Sequence, residues 1–189
     1  MIRFDPDNDT LITIISGIIM IALSVSMNFF PNNKIASFLL RDFFMILLLG
    51  YAFPLYFIII HRNRSISLIG ITQRKLKLSF LINILAAISL LANFISKKTA
   101  ALEFTINSFY AIVYIFAAGI FEMVFIYGFL RYGFESSFGV IPSILLTSSF
   151  YSFHHAGFQP EFYKLFFVGI LYSSVFYITR NIFIIFPFF

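Results

Sequence analysis

The stretch Leu11-Ile-Thr-Ile-Ile-Ser-Gly-Ile-Ile-Met-Ile-Ala-Leu-Ser-Val-Ser-Met-Asn-Phe-Phe30 decides the fold class: 20 residues, mostly apolar, without one charge. A hydrocarbon layer about 30 Å thick is crossed by roughly 20 apolar helical residues. The residues before it, Met1 to Thr10, set Arg3 against Asp5, Asp7 and Asp9, which is the wrong charge for the start of a signal peptide. No small-x-small cleavage site follows, so the run reads as an uncleaved first span. The rest of the chain agrees. Of its 189 residues, 60% are hydrophobic and 11% charged, with a mean hydropathy of +0.95. A soluble domain carries about 25% charge and roughly 45–50% apolar residues. Too little polar surface remains to coat a water-facing globule, which excludes a cytosolic enzyme, a secreted disulfide scaffold and a disordered tail.

The absence of Cys removes disulfides, thiolate metal sites and Cys nucleophiles together. The 29 Phe residues, with no Trp, reflect the codon pressure of an AT-rich genome and not 29 functional aromatics. A net charge of +5 is too small and too scattered for nucleic-acid binding, and in a membrane chain it reports orientation.

Further spans follow the first. Pro31-Asn32-Asn33-Lys34 is a turn cluster. The second span runs from Phe38 or Phe43 to Ile60, with Pro54 expected to kink it. Basic residues at His61-Arg62-Asn63-Arg64 and at Gln73 to Lys77 bracket Ser65 to Ile71, an apolar piece expected to lie along the membrane surface. The third span is Ser79 to Ile95, closed by Ser96-Lys97-Lys98. The fourth is Phe109 to Leu130, the fifth is Pro142 to Phe158 and is rich in Ser and Thr, and the sixth is Phe162 to Thr179. Ile182 to Phe189 would reach only about 12 Å as a helix, an incomplete seventh crossing. Its end is expected to be shielded by neighbouring helices or to be artificially cut. The expected fold is thus an all-α polytopic transmembrane bundle of about six spans, a single membrane domain over residues 1–189.

With the N-terminus cytoplasmic, Arg3, Arg62, Arg64, Arg74, Lys75, Lys77, Arg131 and Arg180 lie inside, eight in all. Lys34, Arg41, Lys97, Lys98 and Lys164 lie outside, five in all. The positive-inside rule favours that orientation.

Of eight acidic residues, only Glu122 falls deep inside a span. A carboxylate at that depth costs a few kcal/mol on insertion scales and must face a cavity or a partner. Ala118 and Gly119, four and three residues before it, let another helix approach on that face. His154 and His155 are the only histidines within a span. Glu122 lies about 14 Å from the Arg131 end of its helix, and His154 about 18 Å from the Pro142 end of its own. Adjacent antiparallel helices would therefore bring them to one level, about 3–6 Å apart if they share a cavity. Helical phase sets Thr147, Phe150 and Tyr151 near His154, and Ser148, Tyr151 and Ser152 near His155. Two consecutive histidines point about 100° apart, so they are not expected to do the same job.

A carboxylate and an imidazole in a membrane cavity can activate water, relay protons or bind a metal. A purely structural hydrogen bond between helices is the plain alternative. Metal is the weakest option, because H-E-x-x-H is absent and consecutive helical residues rarely converge on one ion. No G-x-S-x-G elbow and no triad are present.

Glu122-Met-Val-Phe-Ile-Tyr127-Gly128, then Phe150-Tyr-Ser-Phe-His154, then Phe166-Phe-Val-Gly169 carry a resemblance in order and spacing. Over about residues 109–189 the chain resembles the CAAX-protease and bacteriocin-processing family, which includes glutamate-type intramembrane prenyl-protein endopeptidases and immunity-like proteins. The family's first motif is E-E-x-x-x-R followed by Gly, and its second is F-x-x-x-H. The resemblance implies catalytic roles for Glu122, as general base, and for His154, which would orient water or stabilise an oxyanion. His155, Tyr127 and Phe150 stand as auxiliary candidates. No cofactor and no metal are implied, and the partner is a membrane peptide or protein substrate within the lipid bilayer, reached from the membrane or its cytoplasmic face. The family also implies a bacterial cell membrane.

Met123 stands where the family has its second glutamate, and Tyr127 where it has the arginine. Losing both together leaves no buried charge uncompensated. The family's late histidine, followed by Asn or Asp, would fall just beyond Phe189. These departures support a rival reading, a non-catalytic immunity or peptide-binding protein of the same fold. A proton-coupled transporter would show repeats or broken helices, and neither is evident.

Overall fold

The protein is described here from a computed structural model, which covers residues 3–30, 33–97 and 106–185. Among the described residues every regular element is helical. Six helices follow in order: α1 (Asn8–Met27), α2 (Lys34–His61), α3 (Leu76–Lys97), α4 (106–138), α5 (Val140–Ala156) and α6 (Glu161–Thr179). Short 3₁₀ turns occupy Ile66–Ile69 and Ile182–Ile184.

Among the described residues, four helices are long and apolar enough to cross a membrane: α1, α2, the Ile112–Phe138 part of α4, and α6. Helices also stand at the third and fifth expected places. Of these α5, with 17 residues, reaches about 26 Å, the short limit of a crossing. The expected count of about six spans goes beyond the four that length and composition support. Lys98 and residues 186–189 lie outside the described residues.

Asp7 starts α1 as its N-cap. Its carboxylate accepts from the Thr10 backbone N–H at 2.9 Å, and the Thr10 hydroxyl receives the Asp7 N–H at 2.9 Å, a reciprocal capping box. The Thr10 amide, with help from its hydroxyl and from Arg62, holds the Asp7 carboxyl below its ordinary range despite the opposing effect of burial. A folded-state pKa below the unfolded one gives stability that is complete above the ordinary aspartate value. It is lost as pH falls through the lowered folded value. Asp7→Asn, which keeps a cap but not the charge, should flatten that acid limb in a circular-dichroism titration.

The helix α2 runs through Pro54. The missing N–H falls in Phe53–Leu55, between two stretches wound in wide i→i+5 turns, Phe38–Ala52 and Tyr56–His61. The same wide winding recurs in α4 over Glu122–Leu130, and all nine of those residues are buried. Here Phe121, Phe125 and Phe129 stack along one face at centroid spacings of 5.7 and 5.8 Å. This makes α4 the central helix, and α1, α2, α5 and α6 pack around it.

The piece Ser65 to Ile71, expected along the membrane surface, is anchored to α4 through Ile69 and Leu68, while Ser65 and Ser67 stay exposed. Ile69 is fully buried, and the Leu68 carbonyl accepts from Arg131 at 3.3 Å. The turn is drawn in because Gly128 leaves room for it: a Cβ there would meet the Ile69 carbonyl oxygen at 2.8 Å. Gly128→Ala is expected to destabilise the fold by about 1–3 kcal/mol, the usual cost of overpacking, read as a lower thermal midpoint in detergent.

Contacts gather four separate segments at one end of the bundle. Arg62 pairs with Asp9 and, at 3.6 Å, with Asp7. The Arg3 and Asp5 amides donate to Phe138 and Ser137 carbonyls at 3.1 and 2.9 Å. Asn181 donates to the Thr72 and Arg74 carbonyls at 2.8 and 2.9 Å, and Lys75 donates to the Ile178 carbonyl at 2.8 Å. These are the segments that charge counting grouped on one side. Ile182, Ile184 and Ile185 are buried there, with the Ile182 amide donating to the Gly70 carbonyl at 3.1 Å. The apolar piece that follows α6 is shielded as far as residue 185.

Candidate active site

Glu122 opens the wide-wound stretch of α4 and is 5% exposed. In an apolar interior a carboxylate must find polar partners, and α5 supplies them. Glu122 Oε1 lies 3.1 Å from His155 Nε2. The His155 ring stands edge-on to Tyr151 at 4.6 Å. His154 turns the other way: its Nδ1 is 2.5 Å from Ser24 Oγ of α1, and its ring lies 5.6 Å from Phe121. The two imidazoles stay in contact at 4.8 Å.

One ligand atom from each of Glu122, His154 and His155 lies within 4.8 Å of the others. The two imidazoles therefore both lie near Glu122 while facing different partners, His155 the carboxylate and His154 Ser24. The site sits in the groove between α1 and α4, so a side chain leaning to either wall still reaches it. These three residues could hold a metal ion. Ligands about 2.0–2.1 Å from zinc in a tetrahedron stand roughly 3.3–3.4 Å apart, so the set would have to draw in by more than an ångström at its widest.

The cluster borders a cavity of about 650 Å³, with Ser24, Met45, Tyr114, Phe153 and Gln159 among its other walls. The direct partner of Glu122 is His155, and His154 is anchored to α1. The other two candidates stand away from the cavity. Tyr127 is fully buried among aromatics, 5.8 Å from Tyr151 and 5.9 Å from Tyr172. Phe150 stacks on Phe134 at 5.5 Å and fills the space opposite Gly17, where α1 passes. Ser24 was not expected at the site.

A buried carboxylate and two imidazoles on a cavity of a polytopic helical membrane protein are groups that can activate water, relay protons or bind a metal. Residues 104–186, which contain α4, α5 and α6, match the family described as type II CAAX prenyl endopeptidase Rce1-like. This C-terminal part of the chain is thus similar to the CAAX-protease, Rce1-like family. No curated protein and no solved structure matches it. The family implies protease activity in general and an integral membrane location.

Proposed function

We propose that the protein is a glutamate-type intramembrane endopeptidase that hydrolyses a membrane-associated peptide with water activated by Glu122. The observation that carries this reading is the pairing of Glu122 Oε1 with His155 Nε2 at 3.1 Å beside a cavity roomy enough for a peptide. Glu122 Oε2 is buried without a hydrogen-bond partner among the described residues. That oxygen is free to take the proton of a water. As the O–H bond breaks, the water oxygen bonds to the scissile carbonyl carbon. The proton held by Glu122 then passes to the leaving nitrogen as the C–N bond breaks, giving a carboxylic acid and an amine.

His154 is assigned to orienting the water. Ser24 Oγ lies 3.0 Å from the Met20 carbonyl, the acceptor four residues back that helical serines use. With its single proton there, Ser24 accepts from His154 Nδ1–H. Nε2 of His154 then keeps a lone pair for a hydrogen bond from the water.

The reading is tested by incubating the purified protein with fluorogenic peptides that carry a prenylated CAAX end, the same end unprenylated, or a bacteriocin leader. Glu122-dependent cleavage of any of them supports it. Stoichiometric binding of a peptide without cleavage would favour the rival, a non-catalytic immunity or peptide-binding protein. That alternative gains from Met123 and Tyr127, both buried where the family carries charged residues.

We also propose that the N-terminus and the His61 to Lys77 loop are cytoplasmic. The loop carries five of the thirteen Lys and Arg residues, and it contacts the other segments of that charge class. The chain has no Cys, so single cysteines at Ser65 or Gln73 report cleanly. They should resist a membrane-impermeant thiol reagent in intact cells, and rapid labelling from outside would reverse the orientation.

A further inference from the structure

A second cavity, of about 630 Å³, opens at the bundle end where the N-terminus, the 61–77 loop and Arg180 meet. It lies at the Arg131 end of α4, nine residues from Glu122, and shares no lining residue with the carboxylate–imidazole cavity. Three arginines line it, Arg3, Arg131 and Arg180, against a single acidic residue, Glu135. Arg131 is 3% exposed and holds the Tyr127 carbonyl at 3.0 Å, the Leu68 carbonyl at 3.3 Å and Glu135. These bonds use three of its five N–H donors. Arg180 grips both oxygens of Glu135 at 2.6 Å each, through one N–H of each terminal nitrogen, which uses two of its five N–H donors. Both guanidinium groups also sit over aromatic rings, Phe176 at 4.5 Å and Tyr177 at 4.3 Å. Their planes are therefore held in place and not free to follow solvent. One carboxylate against three arginines leaves two positive charges in excess, and the two held guanidinium groups are planar donors that match a phosphate oxygen pair.

We propose that this cavity binds a phosphate group, either the headgroup of an anionic phospholipid or free inorganic phosphate. A helix end where Arg180 closes the apolar stretch of α6 lies at the depth of lipid headgroups, so a basic pocket there meets phosphate whenever the leaflet is anionic. In this arrangement Glu135 acts as an internal competitor that holds the guanidinium groups until the ligand comes.

The test is retention of ligand by the full-length protein in zwitterionic detergent, followed by native mass spectrometry. Short-chain phosphatidylglycerol, phosphatidylcholine and inorganic phosphate are titrated in turn. Phosphatidylglycerol should be retained over phosphatidylcholine, and each of Arg3→Gln and Arg180→Gln should weaken it about fivefold, the usual worth of one cation at an anionic surface. Glu135→Gln should tighten it by a similar factor while lowering the thermal midpoint of the unliganded protein. A merely structural role for the cluster would not give that pairing of effects. Saturation by millimolar phosphate alone, with competition against the lipid, would assign the site to the free anion. If neither ligand responds to Arg3→Gln or Arg180→Gln, or if Glu135→Gln weakens binding, the proposal is overturned.

Discussion

Glu122→Gln is expected to lower peptide hydrolysis by about 10²–10⁴-fold, the range that a positioned general base contributes. The change keeps the volume of the side chain and an oxygen that can still face His155 Nε2, now at 3.1 Å from Oε1. Expression and helical content should therefore stay near wild type. What disappears is the capacity to accept a proton from water, an event that belongs to the transition state, so kcat and kcat/KM should fall together. His154→Ala should give a comparable loss by removing the group that orients the water. By the motif register alone His155→Ala is the milder change, since only His154 fits F-x-x-x-H. The contact of His155 with Glu122 raises that expectation, because without it Oε1 loses its partner within an apolar helix bundle. Full activity in Glu122→Gln would end the catalytic assignment, whatever the fold.

The bundle itself was legible because membrane helices announce themselves by length and apolarity, as Leu11 to Phe30 shows. Glu122, His154 and His155 were legible for the complementary reason: ionisable groups deep in apolar spans have few alternatives to a shared cavity. The partner on α1 was missed although a signal was there. Thr10, Thr13, Ser16, Gly17 and Met20 are the buried residues of that helix, and Ser24 continues their spacing of three and four. Small and polar residues recurring at that period mark the face a neighbouring helix approaches. The pairing of Glu122 with His155 could not be read from the motif, because phase in an ideal helix separates adjacent residues and takes no account of a groove wide enough for both. Nor could the anchoring of the Ser65 to Ile71 piece on α4. Its amphipathic look suits a membrane surface, and only the bare backbone at Gly128 reveals that α4 has room for the Ile69 carbonyl.

Arg131→Leu is expected to cost about 3–5 kcal/mol of stability, the usual price of breaking a buried ion pair from one side. At 3% exposure the guanidinium has no water to replace what it holds. Its removal leaves the Tyr127 and Leu68 carbonyls without their donor and strips the face of Phe176 of a cation at 4.5 Å. Glu135 is spared full isolation because Arg180 still binds both its oxygens at 2.6 Å. The cost should therefore sit at the lower half of that range, a fall in thermal midpoint of roughly 6–16 °C for a chain of this size. Circular dichroism of the protein in detergent would show it. Arg131→Lys should recover little of the loss. An ammonium can reach Glu135, but it has no planar fork with which to hold Tyr127, Leu68 and Glu135 at once. Equal midpoints for wild type and Arg131→Leu would mean that apolar packing alone joins α4 to the 66–69 turn, and that the arginine is kept there for its charge.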